Sequence, residues 1–260
     1  MSGQFGFNLF NRVWAAAALL AFVWGTAAHG QAGSAKHGGG AAMPAPVMDN
    51  QIFAHVLVDQ FEGRTSGLSN NFRWAGEAWA GTDMNKLWLK SEGFAGNGLV
   101  NDGDHEALYD RPLPHTRYLD GQVGVRSDLD SGPARTWAAV GVEGLMPYYF
   151  QFAPTFYIRD GGNVAGRVTG FYDLLLTQRL IVQPEAELSF YNKDDPARLI
   201  GSGLSDLDTG VRLRYEFSRK FAPYVGFAYN GKYSGTARYA RLAGESTSDP
   251  RFIFGLRLWY

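Results

Sequence analysis

The chain has no cysteine, which excludes disulfides, thiol catalysis and thiolate metal ligation and fits an oxidising envelope compartment without requiring one. It has no surplus of either charge: 24 basic against 25 acidic residues leave a formal −1, so no nucleic-acid partner is expected. Mean hydropathy is −0.20, too low for a bundle of membrane helices. There is no Gly-x-Ser-x-Gly elbow, zincin helix motif or phosphate loop, and no enzymatic activity is expected.

Aromatics (15%) and glycine (33 residues), by contrast, are abundant. From Tyr148 to Tyr191 the sequence alternates with a period of two residues, the mark of strands. Phe150, Phe152, Phe156 and Ile158 oppose Gln151, Thr155 and Arg159, while Val182, Ala186, Leu188 and Phe190 oppose Gln183, Glu185, Glu187 and Ser189. The polar face is charged. Tyr148, Tyr149, Tyr157, Phe171, Tyr172, Phe190 and Tyr191 cluster towards strand ends, as in the aromatic girdles of a membrane barrel. A barrel also reconciles low hydropathy with a membrane, because half of each strand faces a polar interior. At 260 residues the chain has room for one barrel or two small domains, and the unbroken pattern favours one.

Residues 1–28 read as a secretory signal peptide: Arg12, an apolar run from Val13 to Trp24, then Thr26, Ala27 and Ala28. The run is too short to span a bilayer core of ~30 Å at 1.5 Å per residue. Cleavage is expected after Ala28; Ala27 and Ala32 also satisfy the small-residue rule. Residues 29–51 are rich in Gly, Ala and Pro, almost lack bulky apolar side chains, and are expected to be a disordered tail. Its distinctive residues are His29, His37, Met43 and Met48. They are either incidental to a linker or a copper-gathering set, since imidazole and thioether without thiolate suit copper and thioether favours Cu(I).

From Ile52 the pattern predicts an all-β, transmembrane, antiparallel up-and-down barrel of about 12 strands (52–260). The strands are expected near 52–62, 72–80, 85–93, 105–112, 117–127, 135–145, 148–159, 163–175, 179–191, 205–217, 221–233 and 251–260. Connections alternate between long (GRTSGLSNN, FAGNGLVNDGD, SDLDSGPAR, NKDDPARLIGSGL, SGTARYARLAGESTSD) and short (GTDM, LPHT, MP, TQR, SRK), apart from a short turn at Asp160. Short periplasmic turns and longer outer loops are the bacterial outer-membrane arrangement, which puts the tail in the periplasm. The final RFIFGLRLWY resembles the terminal strand signal read by the outer-membrane assembly machinery, with Ile253 departing from it.

Several segments resemble the copper resistance protein B family: HVLVDQFEGR, GEAWAGTDMNKLWLKSEG, EALYDRPL, RTWAAVGVEGL, RKFAPYVGFAYNGKYSGTA and, longest, Tyr172 to Glu216. The resemblance implies a copper-tolerance protein of the Gram-negative outer membrane, with membrane lipid and copper ions as partners and a periplasmic copper-binding protein as a further candidate. The family usually carries a His- and Met-rich segment ahead of the barrel. Here that segment is short, which favours capture or transfer over storage.

On this reading copper is the ion handled, with His29, His37, Met43, Met48 and His55 as its ligands, His55 lying in the first strand on the face of Asp59. Met84 and His115 fall in short turns on the tail's side. The lumen face is expected to hold both charges, Asp59, Arg73, Lys90, Arg167, Glu187 and Arg212 among them, either as interlocking ion pairs or as a conducting path through Asp206 and Asp208. Wide aqueous channels belong to barrels of 16 to 18 strands. A general small-solute channel or structural barrel is the alternative function. Asp102, Asp104 and His105 are the residues a hydrolase would use.

Overall fold

The computed structural model describes residues 51–260 apart from 66–69, 97–98, 117 and 131–132. The expected signal peptide (1–28) and all but the last residue of the expected tail (29–51) lie outside the described residues, and with them His29, His37, Met43 and Met48.

The strands are β1 Phe53–Thr65, β2 Asn70–Gly81, β3 Lys86–Gly96, β4 Leu99–Pro112, β5 Leu119–Asp128, β6 Arg135–Met146, β7 Phe150–Arg159, β8 Asn163–Phe171, β9 Leu174–Leu175, β10 Leu180–Tyr191, β11 Gly203–Tyr215, β12 Phe221–Lys232 and β13 Ser248–Trp259. Each long strand pairs antiparallel with its neighbour in the chain. The last strand returns to the first, Leu57 opposite Trp259 and Thr65 opposite Phe252, so the sheet closes and no long edge is left unpaired. The two-residue β9 prolongs β8 along β10, so the wall has twelve strands, as the alternation predicts.

Side chains sort by parity. Outward positions are apolar and exposed, including Phe61, Val140, Phe156, Val211, Phe227 and Phe254, while inward positions hold buried Glu62, Arg64, Arg73, Asp104, Arg126 and Arg212. This is the reverse of a water-soluble fold, and suits a wall with hydrocarbon outside and a hydrogen-bonded interior. One apolar cluster lies in the interior, formed by Leu108, Trp137, Ala139, Tyr157 and Ala165, with Trp88 and Tyr191 packed against them.

Several expectations need correction. Tyr157 and Tyr191 are not girdle residues; their register, opposite Ala139 and Ala165, turns them inward, and only backbone pairing separates them from true girdle positions such as Tyr148 and Tyr149. Two connections expected to be long are hairpins, because β1, β2, β3 and β4 run on through polar and glycine-rich sequence until only 66–69 and 97–98 lie between strands. The last long loop contains a helix, α1 (Ser234–Leu242), which packs on β11 and β12 with Thr236, Ala237 and Ala240 buried. Its first turn crosses the chain at Gly201, where a Cβ would come within 2.2 Å of the Gly235 backbone, so neither chain could carry a side chain toward the other.

Candidate functional site: the barrel interior

The interior begins with an irregularity in β1. Pairing shifts between Val58 and Gln60, a β-bulge that lets two consecutive residues face inward. Asp59 takes Arg257 at 2.6 Å, and Gln60 donates to Glu185 at 2.9 Å. Beyond the bulge, parity is reversed, so Glu62 and Arg64 point into the lumen. Neither was among the expected lumen residues. The adjacent polar pair in HVLVDQFEGR was the available signal, because strict alternation cannot place both of those side chains on one face.

Glu62 is fully buried and accepts from Arg64 at 2.7 Å, Arg212 at 3.1 Å and Tyr224 at 2.9 Å. Room for it comes from Gly255, where a Cβ would meet the Tyr224 hydroxyl at 2.6 Å and the Glu62 Cβ at 2.8 Å. Arg64 reaches on to Asp208 at 2.7 Å, which also takes Arg73 at 3.3 Å. Arg73 approaches Glu187 at 3.6 Å and Glu92 at 3.8 Å. Arg167 of β8 then bridges the lumen to Glu92 of β3 and Asp104 of β4. Asp104 takes Arg126 at 2.8 Å, Arg126 takes Asp128 at 2.8 Å, and Asp128 takes Arg135 at 2.8 Å and the Trp137 indole at 3.0 Å. The charges are thus linked from β1 to β6 through side chains of strands that are not neighbours. Each ion is compensated several times, the condition under which buried charge is tolerated.

This web removes one reading. Asp208 is committed to Arg64 and Arg73, so Asp206 and Asp208 do not form an open carboxylate path. A cavity of about 520 Å³ lies on the long-loop side, lined among others by Arg73, Arg167, Glu187, Tyr191, Asp206, Lys232 and Thr236. Above it the β10–β11 loop is tied down by Arg198 to Asp130 and by Asp195 to Arg135 at 2.9 Å. Thr236 of α1 accepts from the Gly201 amide at 2.8 Å and bonds Ser205 at 2.9 Å.

Towards the short turns the interior is wetter and more acidic. Lys90 pairs with Glu143 at 2.5 Å, Lys86 with Asp120 at 3.1 Å, and Arg214 with Asp173 at 3.1 Å. Glu77, Asp110 and Glu216 add further carboxylates, so acidic side chains outnumber Lys86, Lys90, Arg214 and Arg257.

His55 is half-buried at this end, opposite Trp79, with its ring 6.1 Å from Trp79 and 5.6 Å from Trp259. It shares the inward face with Asp59, as expected. Met84 is exposed in the β2–β3 turn, and His115 is exposed in the β4–β5 turn with φ 66°. Among the described residues no group of three or more His, Asp or Glu is arranged to hold a metal ion. Asp104 and His105 are successive residues of β4 and project to opposite faces, so they cannot act together on one water or hydroxyl.

An apolar-walled, closed antiparallel barrel with an ionised interior defines a membrane β-barrel protein. In fold it resembles the NanC porin, with a TM-score of 0.50 at 13% identity, covering 79% of this chain and 99% of that one. The family model described as copper resistance protein B precursor matches residues 52–260. The chain is 42% identical over 214 residues to copper resistance protein B of Escherichia coli, and 39% identical to its homolog in Pseudomonas syringae pv. tomato (strain ATCC BAA-871 / DC3000). Both alignments cover 82% of this chain and 72% of the relative. The chain belongs to the copper resistance protein B family, and its role is in copper resistance. Fold and family together point to the outer membrane.

Proposed function

We propose that the chain binds copper at the outer membrane and contributes to tolerance by capture and transfer rather than by catalysis. On this reading the short turns face the periplasm and the tail lies on that side, the arrangement usual for bacterial outer-membrane barrels. Copper is taken up there by His29, His37, Met43 and Met48 and passed to His55. The observation that carries this reading is the charge distribution of the lumen: the end where His55 enters is rich in accessible carboxylates, which raise the local concentration of cations. Thioether and imidazole then select copper over magnesium or calcium, which prefer oxygen ligands. A periplasmic copper-binding protein is the natural donor or acceptor for such a tail. The interlocked long-loop half speaks against the alternative of a general solute channel.

Deleting His29 to Asp49 tests the reading. Copper stoichiometry and cellular tolerance should both fall while the barrel still assembles, because the strands begin at Phe53. Replacing Met43 and Met48 with leucine should weaken Cu(I) binding and spare zinc held through histidine. Unchanged stoichiometry and tolerance in the deletion would remove the tail from the mechanism.

A further inference from the structure

The short-turn mouth of the lumen holds three indoles for which the membrane gives no reason. Girdle aromatics point outward to the headgroups. Trp79 of β2 instead shares the inward parity of Arg73, Trp88 of β3 that of Lys90, and Trp259 of β13 that of Arg257. Trp79 and Trp88 are directly opposite across the β2–β3 hairpin, with ring centroids 6.0 Å apart. The first and last strands end flush, because the Val56 amide donates to the Tyr260 carbonyl at 3.0 Å and the Tyr260 amide donates to the Val56 carbonyl at 2.9 Å. That closure sets Trp259 beside His55 on one side, while the β1–β2 register sets Trp79 opposite it on the other. His55 stands between two indoles.

Two of these rings already attract cations. Lys86 Nζ is 5.8 Å from the Trp79 centroid and Lys90 Nζ is 5.3 Å from that of Trp88, the range in which an indole face draws positive charge. Among the described residues no cation lies over Trp259, which is the indole nearer His55 at 5.6 Å and meets it edge to face, with 62° between the planes. An ion carried on the imidazole nitrogen closer to that ring comes within the ~6 Å reach of its face. The surroundings also discriminate between ions. Cu(II) takes tetragonal sets of nitrogen and oxygen donors and zinc a tetrahedral set, and among the described residues His55 belongs to no group of three His, Asp or Glu that could supply either. Cu(I) is soft and singly charged, and a polarisable π face suits it better than either divalent ion.

We propose that Trp259, with Trp79 as the facing wall, makes His55 a Cu(I)-selective site: the imidazole binds the ion and the Trp259 face covers its open side. The proposal rests on the capture-and-transfer reading, in which His55 receives copper, and adds the oxidation state and the residues that set it. Trp259 is 40% exposed, so the mouth stays open to an arriving ion.

Under anaerobic conditions, Cu(I) supplied from a chelator buffer should quench the indole emission of the full mature chain in detergent, and saturating zinc should not. An absent quench overturns the proposal, and so does one that survives His55→Ala. Trp259→Leu should weaken Cu(I) binding about tenfold and Trp259→Phe less, the order in which these side chains attract cations, while zinc affinity stays within about twofold. Equal losses for Cu(I) and zinc, or no loss of either, overturn the proposal. If Trp259→Leu fails to assemble as a heat-modifiable barrel, Trp259→Phe and Trp79→Leu make the same comparison, each expected to weaken Cu(I) and spare zinc. A quench that persists when His29, His37, Met43 and Met48 are all changed to alanine supports this site while removing the tail as its source, so the two readings fail separately.

Discussion

In the web around Glu62 the side chains of Glu62, Arg64, Arg73 and Arg212 are 0–4% exposed, whereas Asp59, Glu143, Asp120 and Asp173 towards the short turns are 26–34% exposed. The same residue types therefore serve different ends. In the first group each charge has several partners and almost no exposure, so the web acts as a plug. In the second, water screens the pairs and the acidic excess acts on mobile cations.

The largest effect that separates the two is on stability. Glu62→Ala leaves Arg64 and Arg212 buried without their shared carboxylate and should cost about 3–5 kcal/mol. Glu143→Ala removes a wetted partner and should cost less than about 1 kcal/mol. Denaturant unfolding in detergent, followed by loss of heat-modifiable mobility, measures both, and equal losses would erase the distinction between the halves.

Conductance comes next. The unaltered barrel should pass little current in planar bilayers, because Arg167, Glu92 and Asp104 join opposite walls. Replacing Arg73 and Arg167 together with alanine should raise it several-fold. Large, steady current through the unaltered protein contradicts a plug.

A smaller change is expected from neutralising the wetter half. In that opened variant, Asp59→Asn with Asp120→Asn and Asp173→Asn should reduce cation preference, read as a shift in reversal potential, and the shift should shrink as salt is raised. A salt-independent shift would point to specific sites instead of a diffuse field.

The smallest concerns the β10–β11 loop outside the membrane. The Ser202 amide donates to Asp194 at 2.7 Å and, with Tyr239 and Arg238, holds that carboxyl below its ordinary range. A lowered carboxylate value stabilises the docked loop above the ordinary carboxylate pKa, and the contribution is lost as pH falls through the lowered value. Protease nicking between Asn192 and Ser202 should therefore increase only at strongly acidic pH, and Asp194→Asn should flatten that dependence.

Strand number, facing and the family were legible in the sequence because each depends on local information. Period-two alternation places Val182 and Gln183 on opposite faces wherever the strand lies, and the segment from Tyr172 to Glu216 carries the family's wording. Breaks in the period carry no such local mark. The β1 bulge turns Glu62 and Arg64 inward against strict alternation, and β4 begins at Leu99, ahead of the expected residue 105, although Asn101 to Gly103 resemble a turn. Asp104 and His105, expected where the long loop meets the fourth strand, are successive residues of β4 and lie on opposite sides of the wall.

What the sequence by itself determined is the wall: twelve amphipathic strands, apolar on one face and charged on the other, whose period is fixed by backbone geometry. Only the tertiary structure decided which charges meet. Arg64 finds Asp208 and Arg167 finds Glu92 across 144 and 75 residues of chain, because closure of the sheet curves distant strands toward a common interior. Pairing partners are set by barrel circumference and register, quantities that no stretch of the chain carries alone.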